Sequence, residues 1–454
     1  MPPVALAPSQ PRPAGTVPAV PSAAVSAPGA RDVTVDFLRG LAIVAVAVGH
    51  WLVVVPAYRD GTFDGVNALA TVALMGRLTW IFQVMPLFFI LGGFANGMSW
   101  RSARRREVPY PDWLRTRLVR LVKPTAALLA VWIGIGVLLR IAGADPAFVA
   151  RIAWLAVVPL WFLAVYVVVV ALAPLMIFLH DRAGIAVLVA LVAMAGAVDY
   201  IRIATTIDGV EWTNFLWVFL AAQQIGFFWL DGLLSRRRWM PWSMLIGGLS
   251  ALWLATHVGP YPVSLVGVPG EAIANNAPPT ITLIFLGIAQ AGLGLLARPR
   301  INRWLERRVV VGAVIALNRN AMTILLWHFT ALVAVALVVL PFGVVPVFSS
   351  GSPAWWLVRC ASVLAYALPL AVLVAVFGRI ERRNSTAGPA RRYPSRRVVG
   401  AGRMIVATAL FSAAFSTITV GGLSDPGRPL GVPVVGAGLF LAASALMGRG
   451  AAAG

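Results

Sequence analysis

The chain has little charge and almost no cysteine. Asp, Glu, Lys and Arg make up only 12% of its 454 residues, against 60% hydrophobic residues. A soluble globular domain carries about 25% charged residues, so that class is excluded and a polytopic membrane protein is indicated. Cys360 is the single cysteine, which excludes an intrachain disulfide framework, a cysteine zinc site and paired-thiol redox chemistry. Lying in an apolar run, it reads as a packed side chain. Acidic residues are scarce as well, 16 against 37 basic ones. The resulting net charge of +21 does not imply a nucleic-acid partner. The basic residues gather in short clusters between apolar runs of about 20 residues, the pattern of cytoplasmic membrane loops.

Other features are missing. Residues 1–30, rich in Pro, Ala, Ser and Val, have neither a basic n-region nor a continuous apolar h-region, so they read as a disordered cytoplasmic tail rather than a signal peptide. No internal repeat stands out, which speaks against the duplicated architecture of many transporters. No attached soluble domain is apparent that would disclose a substrate.

What is present is a series of apolar runs. Twelve spans are expected, near 36–56, 79–99, 124–142, 152–179, 183–200, 212–231, 240–258, 279–297, 319–341, 355–377, 403–423 and 430–447. The expected fold is an all-α polytopic transmembrane bundle of about ten helices with two more at the C-terminus. Most Lys and Arg fall on one side if both termini are cytoplasmic, and the positive-inside rule selects that orientation in the cell membrane. The Arg- and Pro-containing stretch RIERRNSTAGPARRYPSRR divides the chain. It gives a transmembrane domain over 31–378, a basic cytoplasmic linker over 379–402 and a helical pair over 403–454.

Two costly residues sit inside the first span. Arg39 and His50 are eleven residues apart, 1100° of helical rotation, so they share one face about 16 Å apart. Ionisable groups inside a membrane are functional by default, yet Arg39 can also snorkel to a headgroup and His50 can be an interhelical hydrogen bonder. Asp36, one turn earlier, is placed to pair with Arg39.

Further candidates follow along the chain. Arg117 and Arg120, in RLVR before the third span, present two guanidinium forks on one face, which suits bidentate phosphate binding. His328 is a second intramembrane imidazole, flanked by Trp327 and Phe329. Neither His50 nor His328 has the companion ligands of a zinc site, so no metal is expected. His180 and His257 read as interfacial. Glu271, Asn275 and Asn276, just before the eighth span, offer donors and acceptors for a hydroxylated molecule, although a solvated turn-rich loop explains them nearly as well.

These residues resemble a known pattern. Asp36, Arg39, Gly40, Ala42, Ile43 and His50 match D-x-x-R-G-x-A-I followed by histidine, as in the acyltransferase-3 family of membrane O-acyltransferases, which includes polysaccharide O-acetylases. FFILGGF (Phe88–Phe94), the pair Arg117 and Arg120, WFL (Trp161–Leu163) and His328 after Asn318–Asn320 are similar to later family segments in the same order, over roughly residues 31–378. Gly92 and Gly93 stand where many relatives carry serine then glycine, which disfavours an acyl-serine mechanism. The last two helices exceed the family's usual ten.

The resemblance implies an acyltransferase with no tightly bound cofactor and with acyl-CoA, commonly acetyl-CoA, as donor substrate. It implies His50 as general base, Arg39 beside the thioester path, Arg117 and Arg120 on the CoA phosphates, and His328 orienting the acceptor or sharing proton transfer. Asp36, Trp161, Glu271, Asn275 and Asn276 are the expected substrate-binding residues, and the acceptor is expected to be a carbohydrate, glycolipid or glycosylated small molecule at the membrane lipid. Two rivals are a twelve-helix secondary transporter and a lipid-binding scaffold. The first inside loop lacks the Gly-x-x-x-Asp-Arg-x-Gly-Arg pattern of major facilitators.

Overall fold

The computed structural model describes residues 32–59, 62–205, 207–343, 348–386, 400–428 and 430–448. The tail 1–30 and most of the basic linker, residues 387–399, lie outside them. Fifteen α-helices occur among the described residues. They are α1 (Val33–Val53), α2 (Ala73–Phe82), α3 (Met85–Arg105), α4 (Tyr110–Ile141), α5 (Pro146–Val157), α6 (Leu160–Ala183), α7 (Ile185–Ala204) and α8 (Asn214–Leu230), followed by α9 (Met240–His257), α10 (Ile281–Leu305), α11 (Arg308–Arg319), α12 (Ala321–Val339), α13 (Pro353–Thr386), α14 (Ala401–Gly421) and α15 (Val434–Leu446). The all-α membrane bundle expected from composition is therefore the fold.

Each of the twelve expected spans lies on a helix, but not every helix is a full span. Nine helical stretches among the described residues are long and apolar enough to cross a membrane. The helix α8 has 17 residues and α15 only 13, short of the ~20 needed to span the hydrocarbon alone. The run after α1 is not helical. Pro56 has no backbone N–H and the valines before it are β-branched, so Val54–Arg59 (β1) pairs antiparallel with Thr62–Asn67 (β2), Val54 opposite Asn67 and Arg59 opposite Thr62. At the other end, α13 continues to Thr386, through the first residues of the stretch expected to be linker. Cys360 is exposed on α13 rather than packed inside, a correction to the expectation.

The first helix lies in the middle of the bundle, touching α3, α10, α11, α12 and α13. Its buried residues Leu38, Ala42, Ile43, Ala47 and Trp51 recur every four residues, with Ala42 and Ile43 adjacent, and Ala42 and Gly40 let neighbouring backbones approach. A close crossing joins α3 and α8. A Cβ on Gly93 would stand 2.2 Å from the Gln223 carbonyl oxygen, and one on Gly226 would stand 2.0 Å from that of Ile90. Only glycine allows this contact, which explains Gly93 of the FFILGGF segment in packing terms. Phe89 stacks on Phe219 in the same interface, ring centroids 4.1 Å apart.

The C-terminal pair docks on α4, α5 and α6. Phe411, Phe415 and Phe440 pack together between α14 and α15. The Trp154 indole donates to the Thr419 carbonyl at 3.0 Å, and the Arg115 guanidinium donates to that of Met447 at 3.0 Å.

Buried polar groups tie helix ends together. Asp199 accepts from the Asn214 amide (2.8 Å), the Tyr261 hydroxyl (2.9 Å) and the Ile281 N–H (2.8 Å). Burial first, then the adjacent Asp199 carboxylate, push the Tyr261 phenol above its ordinary range and keep it a donor. At the opposite end His180, expected at an interface, is only 6% exposed. It accepts from Gln224 (2.8 Å) through Nδ1 and donates to Asp231 (3.0 Å) through Nε2, while Asp231 also receives Arg101.

Candidate active site

The two intramembrane histidines meet. His50 on α1 and His328 on α12 are joined Nδ1 to Nε2 at 2.9 Å, their rings within 9° of parallel. The protons can be assigned from the partners. The carbonyl of Leu325 only accepts, so His328 carries its proton on Nδ1, which donates there at 2.7 Å. Its Nε2 then holds a lone pair in the neutral ring, and His50 must donate to it from Nδ1. The remaining lone pair of the dyad is on His50 Nε2.

The dyad is held from behind. The Trp51 indole donates to the His328 carbonyl at 2.9 Å, and the buried Arg359 guanidinium donates to the carbonyls of Trp51 and Val54 where α1 ends. Phe329 lies against both imidazoles, ring centroids 4.9 and 4.6 Å away. His328 is fully buried, whereas His50 faces a cavity of about 110 Å³. Trp161 and Asn276 line that cavity with His50, as do Thr79, Gln83 and Met85. Its lining is largely apolar with a few polar groups, the usual make-up of a small-molecule site.

The loop before α10 divides its expected site residues. Asn276 reaches the cavity and accepts from the Gly267 N–H at 2.8 Å through Oδ1. The Asn275 amide is consumed within the loop, donating to the Pro262 and Ser264 carbonyls (2.8 Å each) and accepting from Thr280 (2.8 Å). Glu271 is exposed and away from the cavity lining. Alternating polar residues in a turn-rich loop do not disclose which of them face inward.

A second cluster forms at the other end of α1. Arg117 lies within electrostatic reach of Arg39, Arg120 and Tyr166. Its guanidinium donates to the Ala95 carbonyl on α3 at 3.2 Å and sits 5.9 Å from the centre of the Trp113 ring. Arg120 is exposed, and Pro124 one turn later lacks the N–H that would bind the Arg120 carbonyl within the helix. Asp36 is joined to the polar run before α12, its backbone carbonyl accepting from the Asn318 amide at 2.8 Å. Glu381, also within reach of Arg39, accepts the N–H groups of Met322 (3.0 Å) and Thr323 (2.9 Å) and caps the start of α12.

The arrangement is a cationic cluster and an imidazole dyad at two depths on the central helix. A family model described as an acyltransferase domain, acyltransferase-3, matches residues 32–374. The chain belongs to the acyltransferase-3 family. The match covers α1, α3, α4, α12 and thus every residue of both clusters except Glu381, and it ends within α13. No curated protein and no solved structure matches the chain. Family membership together with the apolar helices makes this a membrane acyltransferase. Tyr166, Thr79 and Gln83 had no motif to single them out in the sequence. Only the packing of α2 and α3 on α1, and of α6 on α3, brings them to these two places.

Proposed function

We propose that the protein transfers an acyl group from cytoplasmic acyl-CoA to a hydroxyl of a carbohydrate-like acceptor, with His50 as general base. The observation that carries this reading is the oriented dyad. His50 Nε2 is the unshared lone pair, and it belongs to a side chain that opens on the cavity.

In this reaction His50 Nε2 takes the proton of the acceptor hydroxyl as its oxygen attacks the thioester carbonyl. The C–O bond forms, the C–S bond breaks, and the proton passes from the imidazolium to the departing thiolate. His328 fixes the His50 tautomer and accepts the Nδ1–H bond, which strengthens as His50 becomes cationic. Arg117 and Arg120 hold the CoA phosphates at the cytoplasmic surface, and Arg39 stands beside the acyl-bearing arm. The 16 Å or so between Arg39 and His50 along α1 separates the site for the donor's anionic end from the site of chemistry. Trp161 and Asn276 contact the acceptor from the cavity wall, Asp36 holds the α1 start, and both termini lie in the cytoplasm.

With Gly92 and Gly93 on α3, a direct transfer without an acyl-serine at that place fits these residues. The test is transfer from radiolabelled acetyl-CoA into glycolipid and polysaccharide fractions of membranes carrying the protein, with mass spectrometry of the acylated product. Label incorporation is expected for the wild type and is expected to be lost in His50→Ala; full turnover by a well-folded His50→Ala protein refutes the assignment.

A further inference from the structure

We infer that Asn96 is a positioning residue for the donor, its side-chain amide pairing with an amide group in the arm that links the CoA phosphates to the thioester. The inference rests on the acyl-CoA reading above.

Asn96 is 1% exposed, and neither its Nδ2 nor its Oδ1 has a hydrogen-bond partner among the described residues. Other buried amides in the bundle are anchored. Gln83, Asn214, Gln223, Gln224 and Asn275 each engage their NH2 group. A buried amide with both ends unmet is costly and calls for a partner.

Its place is set by two helices that cross the same distance. Met85 lines the His50 cavity, and Asn96 follows it by eleven residues on α3, so the two share a face about 16 Å apart. Arg39 and His50 are separated by the same interval on α1, which α3 contacts. At the far end the neighbouring Ala95 carbonyl accepts from Arg117, itself within reach of Arg39. Asn96 thus stands at the depth of the arginines on a face that leads to the histidine. One turn from it, Gly92 adds no side chain, and the Tyr166 ring of α6 packs close to the helix there. A Cβ there would lie 3.3 Å from the Tyr166 ring and 3.7 Å from its hydroxyl.

The chemistry selects the ligand group. A phosphate calls for cations, which Arg117 and Arg120 provide, and a thioester sulfur makes only weak hydrogen bonds. A carboxamide offers a donor and an acceptor side by side, the complement of another amide. The arm of CoA carries such groups between its phosphates and its sulfur.

The experiment compares two probes by calorimetry on the full-length protein in detergent: CoA, and adenosine 3′,5′-bisphosphate, which has phosphates but no arm. Asn96→Ala is expected to weaken CoA binding about tenfold, the loss of one or two hydrogen bonds, and to leave the bisphosphate unchanged. KM for acetyl-CoA rises by the same factor with kcat within about twofold. Unchanged CoA affinity, or equal weakening of both probes, overturns the inference. A wild-type protein that binds no CoA overturns the donor reading itself and this inference with it. Should Asn96→Ala fail to fold, Asn96→Thr keeps a small polar residue and is judged by the same outcomes.

Discussion

His328 offers the sharpest perturbation, because in the proposed mechanism it touches the reaction only through His50. In His328→Ala the His50 Nδ1–H loses its acceptor at 2.9 Å, and no other described side chain is bonded there to replace it. A buried donor left unmet costs about 1–3 kcal/mol, and borne by the transition state, where His50 is cationic, that amounts at 1.4 kcal/mol per decade to a kcat about 5- to 150-fold lower. The ring is also free to shift its proton to Nε2, where it can no longer act as base. In the proposed mechanism His50→Ala removes the base, and it is expected to cost more, about 10²–10⁴-fold. His328→Gln restores an acceptor and is expected to recover much of the rate. The backbone bond from Trp51 to the His328 carbonyl persists in every variant, so the α1–α12 contact is retained. The assay is acetyl transfer at saturating acetyl-CoA in proteoliposomes with matched protein amounts. A His328→Ala protein with wild-type kcat, or a Gln variant no better than Ala, would refute the tautomer argument.

Three other outcomes follow from the packing and charges. Gly93→Ala and Gly226→Ala drive a Cβ to about 2 Å from a backbone oxygen, so α3 and α8 must part; each should destabilise the protein by about 1–3 kcal/mol or more, read as a lower unfolding midpoint in detergent, whereas Gly92→Ala meets only the Tyr166 ring and should cost less. Arg117→Ala should raise KM for acetyl-CoA about tenfold or more with a smaller change in kcat, and Arg117→Lys should rescue only part, since an ammonium cannot make the bidentate contact; an unchanged KM would remove Arg117 from the donor site. Glu381→Gln should lower thermal stability by about 1–2 kcal/mol by weakening the charge-assisted cap on α12, and Glu381→Ala should cost more because the Met322 and Thr323 N–H groups lose their acceptor; equal midpoints for all three proteins would contradict that role.

How much was legible beforehand differs between fold and site. The scarcity of charge and the spacing of apolar runs were enough for a membrane bundle, since hydrocarbon leaves the backbone few alternatives to the helix. The eleven-residue interval placed Arg39 and His50 on one face because a helix has a fixed pitch. Pro56 hid a hairpin inside an apolar run, and hydropathy did not separate full spans from shorter helices such as α8 and α15. Asn275 and Asn276 illustrate the limit best: adjacent and identical, one is spent inside its loop and the other faces the cavity.

The chain alone thus determined its class and the placing of Arg39 and His50 on one face of the first helix at two depths, which follow from local periodicity and the cost of charge in a membrane. Tertiary structure decided the rest. Only the packing of α12 on α1 sets His328 against His50 and names the nitrogen that bears the lone pair. Only the packing of α3 against its neighbours leaves Asn96 buried and unbonded at the depth of the arginines. Contacts between residues hundreds of positions apart depend on how helices cross, and no local pattern in the chain encodes that.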